Sequence, residues 1–178
     1  MEVRPVDGTD DLSGTTPAFC VDGMLGRLAK WLRILGYDAE FPCSDPSPER
    51  IFITMRKSGV RPPASVRRVP PGHVWKPGGI LLSADIRLTS HETLHQLRQI
   101  FDEAGIRPDP CRFLSRCVVC NVTVRCVTID RVIDRIPKGV LEITEEFTEC
   151  PRCGRVYWEG THPIRIRTRL KEAGLDLE

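Results

Sequence analysis

Long apolar runs are missing from this sequence of 178 residues. No stretch approaches the roughly 18 consecutive apolar residues that a membrane-spanning helix requires. The apolar core of a signal peptide is missing too, because Asp7, Asp10 and Asp11 lie where that core would be. We therefore expect a cytoplasmic protein with no membrane association.

A strong excess of one charge is also missing. The formal net charge at pH 7 is +2, and 28% of the residues are charged against 40% hydrophobic, as in ordinary soluble globular proteins. Acidic residues are nevertheless absent from residues 50–77. Residues 59–78 are rich in proline and glycine and predict an exposed basic loop, which is either a solvated insertion or a segment that holds polyanions.

Two enzyme motifs are absent around Asp22. A dinucleotide-binding fold requires GxGxxG, whereas the stretch DGMLGR contains only Gly23 and Gly26. A phosphatase of the haloacid-dehalogenase type requires a second aspartate two residues further on, where this chain has Met24. The sequence around Asp22 therefore favours neither class.

An α/β pattern follows a polar, turn-rich segment, residues 1–17, which we expect to be a disordered leader. Residues 19–21 are typical of a short buried strand, and residues 37–41 alternate as a second strand does. Between them lies a predicted helix that ends at Gly36. Its inward positions are spaced by three and four residues and are Leu25, Leu28, Ala29, Leu32 and Leu35. A strand, a helix and a strand in this order predict a parallel sheet.

Three further elements are predicted before residue 110. Residues 47–58 predict a helix capped by Ser47, and residues 91–104 predict a helix that stops at Gly105. Residues 80–82 predict a buried parallel strand, with Asp85 just beyond its end.

Residues 166–178 form a C-terminal tail whose pattern fits either a strand or a short basic helix.

Two CxxC pairs give the clearest metal-binding pattern. Cys117 with Cys120 and Cys150 with Cys153 supply the four thiolates of a tetrahedral zinc site, and flanking strand-like segments predict a zinc ribbon. Four sulfur ligands leave no open position, so this zinc is structural. The alternative is a redox role for the CxxC pairs. The other four cysteines are interpreted as small buried apolar residues, namely Cys20, Cys43, Cys111 and Cys126.

Aspartates follow or flank the predicted strands. Asp22, Asp45 and Asp85 are expected along one edge of the sheet, where carboxylates bind Mg²⁺ or Mn²⁺ and leave positions for water and phosphate. Each aspartate alone also fits a turn or a helix cap.

A second set of charged residues recurs at every third position of the first helix. Arg27, Lys30 and Arg33 predict a basic ridge on a face of this helix away from the leucines.

Four stretches resemble, in order, the motifs of the Mut-seven C-terminal ribonuclease family: FCVDGMLGRLAKWLRILGYDAE, ILLSAD, RCVVCN and CPRCGRVYWEGTH. The resemblance implies an α/β fold with a PIN-like parallel-sheet domain at residues 18–110, followed by a small zinc ribbon at residues 111–165. It implies a metal-dependent ribonuclease with Asp22, Asp45 and Asp85 at the catalytic Mg²⁺ or Mn²⁺ and RNA as the partner. In such a protein Arg27, Lys30 and Arg33 would contact RNA phosphates, and the alternative is a solvated helix face. Asp38 also matches a family position, either supporting the second strand or binding metal.

Two features differ from the family pattern. The tripeptide SAD occurs where Thr-Arg-Asp is expected, and the segment between Asp85 and the helix at residues 91–104 is short. These differences favour an alternative function, a non-catalytic RNA-binding or assembly module that keeps the fold and the ribbon. The sequence leaves the oligomeric state open.

Overall fold

The computed structural model describes residues 16–43, 50–55 and 85–177, but not the side chain of Asp85. The leader up to residue 15, Asp45 and the basic loop at residues 59–78 lie outside these ranges. The strands are β1 (Ala18–Val21), β2 (Ala39–Glu40), β3 (Arg50–Thr54), β4 (Asp85–Arg87), β5 (Arg125–Val127), β6 (Phe147–Glu149) and β7 (Val156–Trp158). The α-helices are α1 (Gly26–Ile34), α2 (Thr93–Ala104), α3 (Ile129–Val132), α4 (Lys138–Leu141) and α5 (Thr161–Glu172).

The first four strands form a parallel sheet in the order β2-β1-β3-β4. Val21 lies opposite Ile53, and Ile53 lies opposite Ile86, so the carboxyl ends of β1, β3 and β4 are level with one another. The predicted fold class, an α/β parallel-sheet domain followed by a module consistent with a zinc ribbon, is confirmed.

The predicted helix at residues 47–58 is wrong, because its described part contains strand β3. Ile51 and Ile53 are buried and alternate with partly exposed neighbours, which is the period of a strand. The run Ile-Phe-Ile-Thr is rich in β-branched and aromatic side chains that pack well on a pleated surface. Pairing with β1 therefore outweighs the helix-cap signal of Ser47.

The predicted position of Asp85 is also corrected. Asp85 lies within strand β4, as the first of its described residues, and its backbone lies opposite Phe52. The predicted strand at residues 80–82 lies outside the described residues.

Helices α1 and α2 pack together and cover the sheet. All five predicted inward residues of α1 are buried, and Gly36 ends that helix in a left-handed conformation with φ of 82°. Helix α2 ends at Gly105 with φ of 65°, as its sequence predicts. Both helices confirm the apolar pattern and the glycine stop signal.

Helix α5 belongs to the same core. Ile166 and Leu170 of α5, and Leu175 just after it, are buried in one cluster with Phe19 and Phe101. The ambiguity between strand and helix is thereby resolved in favour of a helix whose apolar side faces the parallel-sheet domain. The domain boundaries drawn from the sequence stay predictions.

The second module is a three-stranded antiparallel sheet in the order β5-β6-β7. Its small core consists of Val132, Ile136 and Phe147, with Trp158 partly buried against them. Such a core is too small to stabilise a module by apolar burial alone, so a bound metal is a physically reasonable supplement.

No helix in the described ranges has the length and apolar character that crossing a membrane requires.

Candidate functional site

The four cysteines of the CxxC pairs converge on one point. The sulfur atoms of Cys117, Cys120, Cys150 and Cys153 all lie within 4.8 Å of one another. The Cys117 and Cys153 sulfurs are 3.8 Å apart. Four sulfurs at about 2.3 Å from a tetrahedral zinc ion lie about 3.8 Å from each other. The donor set and its spacing therefore fit zinc.

Each CxxC pair is shaped by the same backbone turn. The N–H of Asn121 donates to the carbonyl of Cys117, and the N–H of Gly154 donates to the carbonyl of Cys150, both at 2.9 Å. Asn121 and Gly154 have positive φ angles of 59° and 70°, as their residue types predict. We call residues 117–121 the first knuckle and residues 150–154 the second knuckle.

Tyr157 adds a polar contact to this cluster. Its hydroxyl donates to the Cys117 sulfur at 3.1 Å. Burial acts to raise the pKa of Cys117, but the hydrogen bonds from Tyr157 and from the backbone N–H of Cys120 outweigh it and lower the pKa to about 6. Tyr157 therefore stabilises the thiolate form that binds metal, a contact that the CxxC spacing does not reveal.

Asp22 lies at the carboxyl end of β1 and is only 6% exposed. Its N–H donates to the Ile53 carbonyl at 3.0 Å, and its carbonyl accepts from the N–H of Leu25 at 2.9 Å. These contacts make the turn that leads into α1. The Thr54 hydroxyl donates to Asp22 Oδ2 at 2.9 Å, so the carboxylate is oriented by the neighbouring strand.

The strand register brings two further residues to the level of Asp22. Because Val21, Ile53 and Ile86 are aligned, the residues that follow them are Asp22, Thr54 and Arg87 on three adjacent strands. In-register residues point to the same face of a parallel sheet. Arg87 is exposed. Sequence reasoning missed Thr54 and Arg87 because their alignment with Asp22 depends on β3, which was predicted as a helix.

Of the other two predicted catalytic acids, the structure describes only the backbone of Asp85. Asp45 lies outside the described residues. The backbone of Asp85 lies two residues before the level of Asp22 and two strands away.

The predicted basic ridge on α1 is corrected at Arg33. Arg27 and Lys30 are exposed, but Arg33 is only 7% exposed. Three residues turn a helix by about 300°, so a position drifts by about 60° at every such step. Arg33 is therefore rotated about 120° from Arg27 and faces the protein instead of the solvent.

Arg33 connects the sheet to the first knuckle. Its Nε and Nη2 donate to the Ala39 carbonyl at 3.0 and 2.8 Å. Its Nη1 donates to the carbonyls of Val118 and Val119 at 3.0 and 3.1 Å. Val118 and Val119 are the two residues between the first pair of cysteines, so one guanidinium group spans β2 and the metal-binding turn.

Asp38 has a supporting role at the same contact between β2 and the first knuckle. Arg50 binds its carboxylate through two hydrogen bonds of 3.0 Å, and the Asn121 side-chain amide donates to it at 2.7 Å. Burial acts to raise the pKa of Asp38, but the hydrogen bonds from Arg50 and Asn121 outweigh it and hold the pKa below its ordinary value. These contacts favour the strand-supporting interpretation of Asp38.

The ribbon also has a basic face. Arg125, Arg131 and Arg135 each bind the buried carboxylate of Glu149, at 3.3, 3.2 and 2.7 Å. Arg135 also donates to the Gly154 carbonyl, which joins this cluster to the second knuckle. One glutamate thus holds three arginines in fixed positions.

The remaining four cysteines were predicted to be small buried apolar residues. Of these four, only Cys20 is buried. Cys20 forms a disulfide with Cys43, while Cys111 and Cys126 are exposed. Cys43 reaches Cys20 because its N–H donates to the Val21 carbonyl at 3.0 Å. Their spacing of 23 residues in sequence gave no signal, since a strand and a helix intervene.

The match with known proteins comes from a family model. The model described as the Mut7-C RNAse domain matches residues 17–170 of this chain. No curated protein and no solved structure matches the chain. The matched range contains both the parallel sheet and the four-cysteine cluster.

Proposed function

This chain belongs to the Mut7-C RNAse domain family, and from that premise we propose that it is a metal-dependent ribonuclease that hydrolyses RNA phosphodiester bonds. The proposed site is the carboxyl edge of β1 and β3, where parallel α/β sheets commonly bind ligands. The observation that supports it most is the buried carboxylate of Asp22, oriented by Thr54 at this edge. Zinc at the four cysteines has a structural role in this proposal.

Asp22 is the proposed central ligand for Mg²⁺ or Mn²⁺. Asp45 and Asp85 are proposed as further acids of the catalytic centre. When bound, such an ion activates water and neutralises charge on the scissile phosphate. Thr54 keeps one Asp22 oxygen in a fixed direction, so the carboxylate is preorganised.

The remaining residues of the proposal bind the RNA backbone. Arg87 lies level with Asp22 on the same face of the sheet and is proposed to bind the scissile phosphate. Arg27 and Lys30 lie exposed on α1, which begins beside Asp22, and are proposed to bind flanking phosphates. Arg33 has no place in this set because its donors bind protein carbonyls.

Cleavage of labelled single-stranded RNA with Mn²⁺ or Mg²⁺ tests the proposal. We expect Asp22→Asn to lower the cleavage rate by at least about 100-fold, the usual effect of removing one catalytic group. Asp102→Asn, an exposed aspartate on α2, is the matched control and should cleave as the unmodified chain does. Equal metal-dependent cleavage by both variants would refute a catalytic role for Asp22, whereas equal cleavage that persists in a chelator would indicate a contaminating ribonuclease.

One observation favours a second candidate, a non-catalytic RNA-binding or assembly module. The backbone of Asp85 lies roughly 7 Å before the level of Asp22 along the strand direction. A binder would retain RNA in the presence of a chelator and after Asp22→Asn, without cleaving it under any condition. RNA retention by fluorescence anisotropy, measured beside cleavage, separates the two functions.

A further inference from the structure

The first knuckle is attached to the parallel-sheet domain by side chains from both modules. Arg33 of α1 binds the Val118 and Val119 carbonyls, and it binds the Ala39 carbonyl at the start of β2. Asn121 returns the contact, since its side-chain oxygen accepts from the Ala39 N–H at 3.1 Å. Ala39 of β2 is therefore hydrogen-bonded at its N–H by Asn121 and at its carbonyl by Arg33.

The chain that enters the ribbon is fitted to the same end of α1. The Leu114 N–H donates to the Ile34 carbonyl at 2.8 Å. Gly36 permits this approach, because a Cβ atom there would lie 2.7 Å from the Ser115 hydroxyl and would also meet the Arg112 carbonyl. The joint is thus a packed interface, not a flexible linker.

The charge of Arg33 couples this interface electrostatically to the metal site. A zinc ion with four thiolates carries a net charge of about −2. Arg33 places a buried cation against the first knuckle of that centre. The buried guanidinium of Arg33 therefore lies directly against the turn that carries two of the four cysteines.

We propose that Arg33 and Asn121 position β2 through the first knuckle, so that metal binding at the four cysteines stabilises the parallel sheet as well as the ribbon. A metal-bound knuckle presents the Val118 and Val119 carbonyls and the Asn121 side chain in fixed places. Loss of the metal releases the knuckle, and Arg33 and the Ala39 N–H then lose their partners together. This coupling does not depend on RNA cleavage, so its test is separate from that of the proposed function.

Zinc affinity of the full chain tests the role of Arg33. Lysine keeps the charge but lacks the planar fork that reaches Ala39 and the knuckle at once. We expect Arg33→Lys to weaken zinc binding about tenfold in competition with a chromophoric chelator, as changes around metal ligands commonly do. Arg165→Lys on the exposed face of α5 is the matched control and should bind zinc as the unmodified chain does. Equal affinities of the two variants would overturn the role of Arg33.

Amide hydrogen exchange tests the effect on the sheet without any substitution. We expect exchange at residues 37–41 to become at least about tenfold faster when a chelator removes the metal from the unmodified chain, because Ala39 loses its acceptor. Asn121→Gly should show the same change with zinc bound, since glycine keeps the left-handed backbone and removes only the side chain. Accompanying loss of protection in β1 and β3 would extend the effect and support the proposal.

Unchanged protection of residues 37–41 after metal removal would overturn the proposal. The ribbon would then be an independent module attached beside β2. Since the measurement on the unmodified chain needs no folded variant, a variant that fails to fold leaves the test intact.

Discussion

Replacing Leu170 by alanine is expected to destabilise the parallel-sheet domain, although residue 170 lies beyond the ribbon in sequence. Leu170 is on α5, is 0% exposed and lies in the same core as Phe19 and Phe101. Two other contacts hold α5 in place. The guanidinium groups of Arg167 and Arg169 lie over the rings of Phe113 and Trp31, at 4.2 and 5.4 Å from the ring centres. The helix is thus fixed, and a cavity at Leu170 should not collapse easily.

The size of the effect follows from the burial of this leucine. Truncating a fully buried leucine to alanine removes apolar contact and leaves a cavity, at a cost of about 3 kcal/mol. For a domain of this size, that loss should lower the thermal midpoint by roughly 6 to 12 °C. Ile164→Ala is the matched control, because Ile164 is on the same helix and is 57% exposed. It should change stability by less than about 0.5 kcal/mol.

Circular dichroism and calorimetry would measure both variants with zinc bound. A Leu170→Ala midpoint within about 2 °C of the Ile164→Ala midpoint would refute the shared core. Residues 166–178 would then be a tail that packs only weakly on the domain.

Three further outcomes are expected from contacts near the sheet edge. Thr54→Val should lower RNA cleavage about tenfold while leaving the thermal midpoint within a few degrees, because it removes the hydrogen bond that orients Asp22; unchanged cleavage would contradict this role. The pKa of Asp38 lies below its ordinary value of 3.8, so the stability that this carboxylate contributes is present above that value and is lost as the pH falls through the lower, folded-state pKa. The free energy of unfolding of Asp38→Asn should therefore fall less steeply with decreasing pH in that range. An identical pH profile for the two proteins would contradict the contact. Reduction of the Cys20–Cys43 disulfide should cost about 3 kcal/mol for a loop of this length, measured by urea unfolding with and without reductant, and Cys43→Ser should be insensitive to the reductant.

Local signals predicted much of the fold. Helices α1 and α2 were predictable because apolar residues repeat at helical spacing and a glycine follows each helix. The four-cysteine cluster was predictable because each CxxC pair is a complete local turn, with Asn121 and Gly154 in the conformations expected of them.

The errors share a different physical origin. Strand β3 was missed because its pairing partner β1 lies about thirty residues earlier, and a cap signal at Ser47 favoured a helix locally. Arg33 was predicted to lie on an exposed basic ridge because its partners Val118 and Val119 are far along the chain. Thr54 and Arg87 became candidates only through the register of the sheet. Contacts distant in sequence leave no periodic pattern, so the site around Asp22 could be predicted only in part.

The placement of α5 has a consequence for how the protein is made. Strand β1 lies in a core that is completed by Leu170 and Leu175, which a ribosome synthesises much later, after the entire ribbon. We therefore expect the first half of the chain to keep apolar surface exposed until α5 has been synthesised, because the residues that complete its core are not yet present. A nascent chain halted within the ribbon should be a substrate for chaperones, whereas one extended past residue 177 should be released from them.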